Sequence, residues 1–257
     1  SSATYVAWLA KLGGAASTNE DGSIDSSVSV NQTLGMSVGT FTSADNDAKT
    51  IGHGLGVKPL MVIVKVTSTT DGWATWHTGL SSASYKVRLS DTIAQLSVGA
   101  VSWNATEPTS SVFSVKSDGE TGAAGRTFMF MAFAPSEYIS IGSYEGNSNA
   151  NGTFIPTLNS LGVPIQPIFS IFKNIDYAGT NWLIYDTARD TYNAAVKELK
   201  ADTADAENQD SADIFDIVTG GLKQRGTSNS MNTAYTYIYM AIGTPIIDVD
   251  GRIIAGR

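Results

Sequence analysis

The groups able to do chemistry in this sequence are few and scattered. Glycoside hydrolysis needs two facing carboxyl groups. Glu107, Glu145, Asp186 and Asp190 are candidates, but nothing in their spacing pairs them. The chain has no cysteine, which removes disulfides, thiolate metal ligands and cysteine nucleophiles. Two histidines leave little for zinc. His53 lies in the turn His53-Gly54-Leu55-Gly56 and reads as a residue hydrogen-bonding its own loop. His77 takes the place that Asp186 holds in a second, similar stretch, so it reads as a polar strand-end residue. The acidic run Asp202, Asp205, Glu207, Asp210, Asp213 lacks the alternation and central glycine of a calcium loop and reads as a solvated segment. No catalytic, metal-ligating or cofactor-binding residue follows from these patterns.

Aromatic residues are the better candidates for ligand contact, because sugar rings stack on exposed Trp and Tyr faces. Trp73 and Trp76, and likewise Trp182 and Tyr185, are three residues apart and point to opposite faces of a strand. One of each pair is expected in a core and the other at a surface or interface. With Arg189, expected to pair with Asp186, these four form the candidate ligand-binding set. Tyr237 and Tyr239 share a face, alternating with Ile238 and Met240, and read as core.

The composition says what must position these residues. Charged residues make up 16% of the 257, below the roughly 25% of an average soluble protein. Ser, Thr, Asn and Gly together account for 95. That mixture disfavours helix and suits turns and strands. Sixteen bases against twenty-four acids, with no basic patch, argue against nucleic acid and anionic membrane surfaces as partners. No apolar run approaches the ~20 residues that span a bilayer as a helix, and no signal peptide is expected at Ser1–Leu12.

Four blocks recur in the same order. Met36–Phe41 matches Ile139–Tyr144, and Pro59–Lys65 matches Pro167–Lys173. Gly72–His77 matches Asn181–Asp186, and Thr127–Phe133 matches Thr236–Ile242. Short alternating runs with turn signals every 8 to 12 residues predict an all-β chain of two tandem homologous antiparallel β-sandwich units, jelly-roll-like. The expected organisation is an N-terminal strand and linker over 1–34, units over 35–134 and 135–243, and a C-terminal hairpin or arm over 244–257. Thr4–Ala10 resembles the closing strand of a unit, and we expect it to complete a neighbouring sheet. Strands are also expected at Ser84–Leu89, Gly99–Trp103 and Ser111–Lys116, and a short helix at Asn193–Ala201. Tyr5, Val6 and Trp8 at one end, and Ile246, Ile247, Ile253 and Ile254 at the other, are the expected assembly residues.

Gly54-Leu55-Gly56-Val57-Lys58-Pro59, the Ile/Val run ending in Lys65 and the Trp-containing strand after it resemble a duplicated β-sandwich domain of tailed-phage virion proteins, of the marine and cyanophage type. Gly142–Asn147, Asn181–Arg189 and Tyr235–Ala241 carry the same resemblance, as do Tyr5–Trp8, Gly13–Ala16 and Asn19–Ile24. It spans residues 4 to 243. It departs at Gly162–Pro167, where extra residues precede the second Lys-ending strand. The resemblance implies a non-enzymatic structural component of a virion, without cofactor, whose partners are copies of itself and other virion proteins. A carbohydrate-binding adhesin for a host surface glycan is the alternative, and a secreted polysaccharide hydrolase ranks third.

Overall fold

The computed structural model describes residues 5–209 and 212–246. Every regular element in them is a β-strand. The first half contributes β1 (Ser17–Asn19), β2 (Ser26–Asn31), β3 (Met36–Ser43), β4 (Lys49–Gly52) and β5 (Met61–Val66). It continues with β6 (Trp73–His77), β7 (Tyr85–Arg88), β8 (Leu96–Ser97), β9 (Val112–Val115) and β10 (Arg126–Phe133). The second half holds β11 (Ile139–Glu145), β12 (Phe154–Pro156), β13 (Ile165–Asn174), β14 (Leu183–Asp186) and β15 (Lys197–Lys200). It ends with β16 (Asn208–Gln209), β17 (Phe215–Val218), β18 (Gly221–Gln224) and β19 (Thr236–Pro245).

Each half builds one large antiparallel sheet and one small one. The large sheets run β1-β2-β3-β10-β5-β6-β7-β8 and β11-β19-β13-β14-β15-β16; the small ones are β4-β9 and β12-β18-β17. From β3 and from β11 onward the two large sheets share a strand order. They share register as well. Phe133 pairs with Met36 and Met61, and Met61 with His77. At the matching positions Ile242 pairs with Ile139 and Phe169, and Phe169 with Asp186.

The central strands are apolar on both faces, so both faces must be covered. On β10, Phe128, Phe130 and Ala132 point into a core under β4 and β9, with Phe41, Phe113 and Trp76. On β19, Tyr237, Tyr239 and Ala241 point into a second core with Tyr144, Phe172, Tyr185 and Phe215. The opposite faces of the two large sheets meet each other. Met61, Ile63, Val87 and Phe133 from one pack against Ile139, Ile171, Trp182, Ile238 and Met240 from the other. The result is four layers with three cores, the central one shared.

Polar contacts pin the shared layer. The Trp182 Nε1–H donates to the Arg88 carbonyl at 2.7 Å. Backbone bonds join Gln95 N to Ile175 O at 2.9 Å and Gly179 N to Thr92 O at 2.8 Å. His77 is fully buried: its Nδ1 accepts the Gly79 N–H at 2.9 Å, so the proton sits on Nε2, which faces the Tyr239 carbonyl at 3.2 Å. Burial pushes its pKa down to about 4, against a weaker opposing effect of the Tyr239 carbonyl.

Several local expectations are corrected. Residues 5–12 carry no strand: the central slot that this segment resembles is already filled by β10 and β19. Residues 13–34, read as linker, instead supply β1 and β2, which extend the first sheet beyond β3. Asn193–Ala201 is not helical, because Lys197–Lys200 forms β15 and covers the edge of β14. Gly99–Trp103 is a turn, with Gly99 at φ +54°, although Trp103 still reaches the first core. The hairpin expected over 244–257 falls mostly outside the described residues, as do Ile247, Ile253 and Ile254. Ile246 closes the described chain with its N–H on the Pro164 carbonyl at 3.0 Å.

Two outcomes follow from the shared core. Trp182→Ala removes a large side chain that is 1% exposed and orphans the Arg88 carbonyl, and should cost about 3–5 kcal/mol in a denaturant titration, with both halves unfolding in one transition. Because His77 is held neutral, its contribution is complete above the ordinary pKa of 6.5 and is lost as pH falls toward about 4. Wild-type stability should therefore drop by on the order of 3 kcal/mol across that window, and His77→Gln should remove this part of the slope in urea midpoints compared at about pH 7.5 and about pH 4.5.

Candidate functional site

The order of the candidate residues along their strands decides where they point. Trp73 and Trp182 face the shared layer, the latter fully buried. Trp76 and Tyr185, each 2% exposed, fill the outer cores. Trp76, Trp182 and Tyr185 are too deeply buried to offer a stacking face to a sugar, which corrects that expectation for them, while Trp73 is half-buried against the shared layer. Tyr185 directs its hydroxyl inward to the Asp213 carbonyl at 2.7 Å.

The structure brings together a different set: Tyr5, Val6, Trp8 and Arg189. At one end of the shared layer the two large sheets leave a cleft of ≈ 950 Å³. Its walls include Met36, Phe133, Phe169, Met240 and Ile242. Ile168 stands at the rim because register shifts between Pro167 and Phe169, and the bulge turns its side chain outward, 50% exposed. The bulge follows directly on residues 162–167, none of which lines the cleft.

The N-terminal segment lies across the mouth. Trp8 meets Phe169 edge-on, centroids 5.6 Å apart, and its Nε1–H donates to Asp186 Oδ2 at 3.1 Å. Asp186 also accepts the Arg189 Nε–H at 2.7 Å and the backbone N–H of Ala188 and Arg189. Burial raises the Asp186 pKa, but the Arg189 bonds, aided by Trp8, outweigh it and hold the carboxyl below its usual range. Arg189 is itself fixed by the Ile184 and Lys197 carbonyls and by Glu207. The expected Asp186–Arg189 pair thus exists, and its role is to orient an acceptor toward an indole. Asp186 and His77 serve the same local purpose, each accepting an N–H two residues on.

Past the mouth the segment is tied down again. The Lys11 carbonyl accepts from Asn31 Nδ2 at 2.9 Å and the Gly14 carbonyl from Ser29 Oγ at 2.7 Å. A Cβ on Gly13 would lie 2.0 Å from the Val30 carbonyl oxygen, so the close passage over β2 requires glycine. Ahead of these ties the chain is largely exposed. Tyr5 is 87% and Leu9 95% exposed, Val6 42% and Trp8 43%. An edge-on aromatic pair contributes about 0.5–1.5 kcal/mol and a hydrogen bond to a carboxylate about 1.5–3. Fixing the backbone costs about 1–2 kcal/mol per residue. Fixing the four residues from Tyr5 to Trp8 therefore costs at least as much as Trp8 returns, and the segment is weakly held.

The most buried charged groups of the first half form a structural network. Lys86 contacts both Asp118 and Glu120, and Arg88 binds Glu120 at 2.5 Å. Burial raises the Asp118 pKa, but hydrogen bonds from Lys86, Ser102 and the Glu120 N–H bring it below the ordinary range. Sequence reasoning missed this network. Its signal was the i, i+2 spacing of Lys86 and Arg88 opposite that of Asp118 and Glu120. In the acidic run, Asp202 caps the Trp182 N–H and Glu207 binds Arg189. Among the described residues no three His, Asp or Glu side chains converge as a metal site. No described helix is long and apolar enough to cross a membrane.

The chain belongs to the family described as a domain of unknown function, DUF7483, which matches residues 1–244. No curated protein and no solved structure gives a significant match. The family thus takes in both halves and the N-terminal segment together.

Removing the indole should free that segment. Trp8→Ala should raise the rate of chymotryptic cleavage after Tyr5 at least roughly tenfold, read by mass spectrometry, a loss of about 1.4 kcal/mol or more. Because the Asp186 pKa is lowered, its hold on Trp8 should stay complete above pH 3.8 and fail as the solution is acidified through the lowered value. The Trp8 indole N–H resonance should report this, and Asp186→Asn should flatten the response.

Proposed function

We propose that this chain is a non-enzymatic structural component of a virion, assembling with copies of itself and with other virion proteins. The observation that carries the proposal is the N-terminal segment: four large apolar side chains displayed at the mouth of a cleft that accepts one of them. Isolated soluble domains rarely display such a run without a partner to cover it. The low-charge surface rich in Ser, Thr and Gly supports close packing against like surfaces, and the resemblance to tailed-phage virion proteins supplies the particle. A rigid body of three fused cores suits a component that bears load or spaces its neighbours.

Purified particles from the source of this sequence should contain the chain at stoichiometric copy number by quantitative mass spectrometry, and immunogold labelling should place it on their surface. Its absence from washed particles, or substrate turnover by the purified chain on polysaccharides, would refute the assignment.

A further inference from the structure

We infer that two copies of the chain meet cleft to cleft and exchange their Tyr5–Trp8 segments, each Trp8 seating on Phe169 and Asp186 of the other copy. The inference rests on the assembly reading and specifies one of its contacts. What fits the cleft is already visible: an indole, edge-on to Phe169, with its N–H on Asp186. A second copy brings the same indole at no chemical cost, since the contacts made between chains are those made within one.

Reach decides the geometry. The ties at Lys11 and Gly14 hold the chain against β2, so only the residues ahead of Lys11 are free to swing. From Lys11 to Trp8 is three residues, about 10 Å of extended chain. A partner's cleft within that distance must face the first, mouth to mouth. Such an arrangement is reciprocal and closes as a twofold dimer rather than propagating as a filament. It also covers what the single chain leaves bare. Tyr5, Leu9 and Ile168, 87%, 95% and 50% exposed, stand around the same mouth and would lie between the two copies. The pivot is Leu9–Ala10, which has no hydrogen bond to the body of the chain among the described residues.

The absence of cysteine makes a clean test possible. Ala7 and Ala188 both line the cleft and both are exposed, so Ala7→Cys and Ala188→Cys leave the packing intact. When the two single variants are mixed and treated with a short bis-maleimide, a bridge from position 7 to position 188 can form only between chains. Exchange predicts a product of twice the chain mass whose linked peptides join those two positions. It also predicts a concentration-dependent dimer in sedimentation velocity, weakened at least roughly tenfold by Trp8→Ala with the fold intact by circular dichroism. A monomer at all concentrations to about 100 µM, with the doubly substituted chain bridged only internally, overturns exchange while leaving the virion assignment to particle analysis. A dimer that survives Trp8→Ala unchanged also overturns it, since association then runs through another surface.

Discussion

The shared layer between the two large sheets is the constraint on which the rest of the structure depends. A strand such as β10 or β19 carries large apolar side chains on both faces, and a two-layer unit covers only one. The second face, from Met61 to Phe133 on one sheet and Ile139 to Met240 on the other, is covered only when the halves press together. The hydrophobic requirement makes the association, and the bonds of Trp182, Gln95, Gly179 and His77 fix its angle and register. Neither half, taken alone, would leave a soluble sheet.

This packing also creates the cleft. Two twisted sheets in face-to-face contact cannot stay in contact along their whole length. At one end they part, and the bulge at Pro167 to Phe169 widens the gap by turning Ile168 away. The N-terminal segment finds apolar walls there and a single oriented acceptor, Asp186. What the site holds is the chain's own indole, with its ring edge on Phe169 and its N–H on Asp186. The carboxylate is too fully occupied by Arg189 and two backbone N–H groups to act as a base.

The buried charges follow the same logic of local completion. Lys86, Arg88, Asp118 and Glu120 form a closed set near the edge of the first sheet, and removing one member would leave its partners uncompensated. His77 and Asp186, at matching strand ends, show how a repeated structural need is met by different chemistry. Each supplies an acceptor for the turn that follows, but only Asp186, at the cleft mouth with Arg189 against it, carries a charge. His77, inside the shared layer, stays neutral because water cannot reach it.

Much of the fold was legible because strand signals are local. The alternation over Met36–Phe41, Leu60–Val66 and Arg126–Ala134, and the repeated Trp-containing stretches, located the central strands within a residue or two. The opposite orientation of Trp73 and Trp76 and the pairing of Asp186 with Arg189 were equally readable, since both span only three residues. β1, β2 and β15 escaped notice because their Ser-rich or Lys/Glu-rich residues become strands only by lying beside an edge that needs covering. The burial of Trp76, Trp182 and Tyr185 also lay beyond sequence, because periodicity reports that a strand has two faces but not what lies against each. By itself the sequence determined the class of fold, the repeated blocks and the local polar caps, all consequences of neighbours along the chain. The tertiary structure alone decided that the halves share a third core, and that Tyr5, Val6, Trp8 and Arg189 gather at one cleft. Those contacts join residues far apart along the chain, and only the free energy of covering the second sheet face selects them.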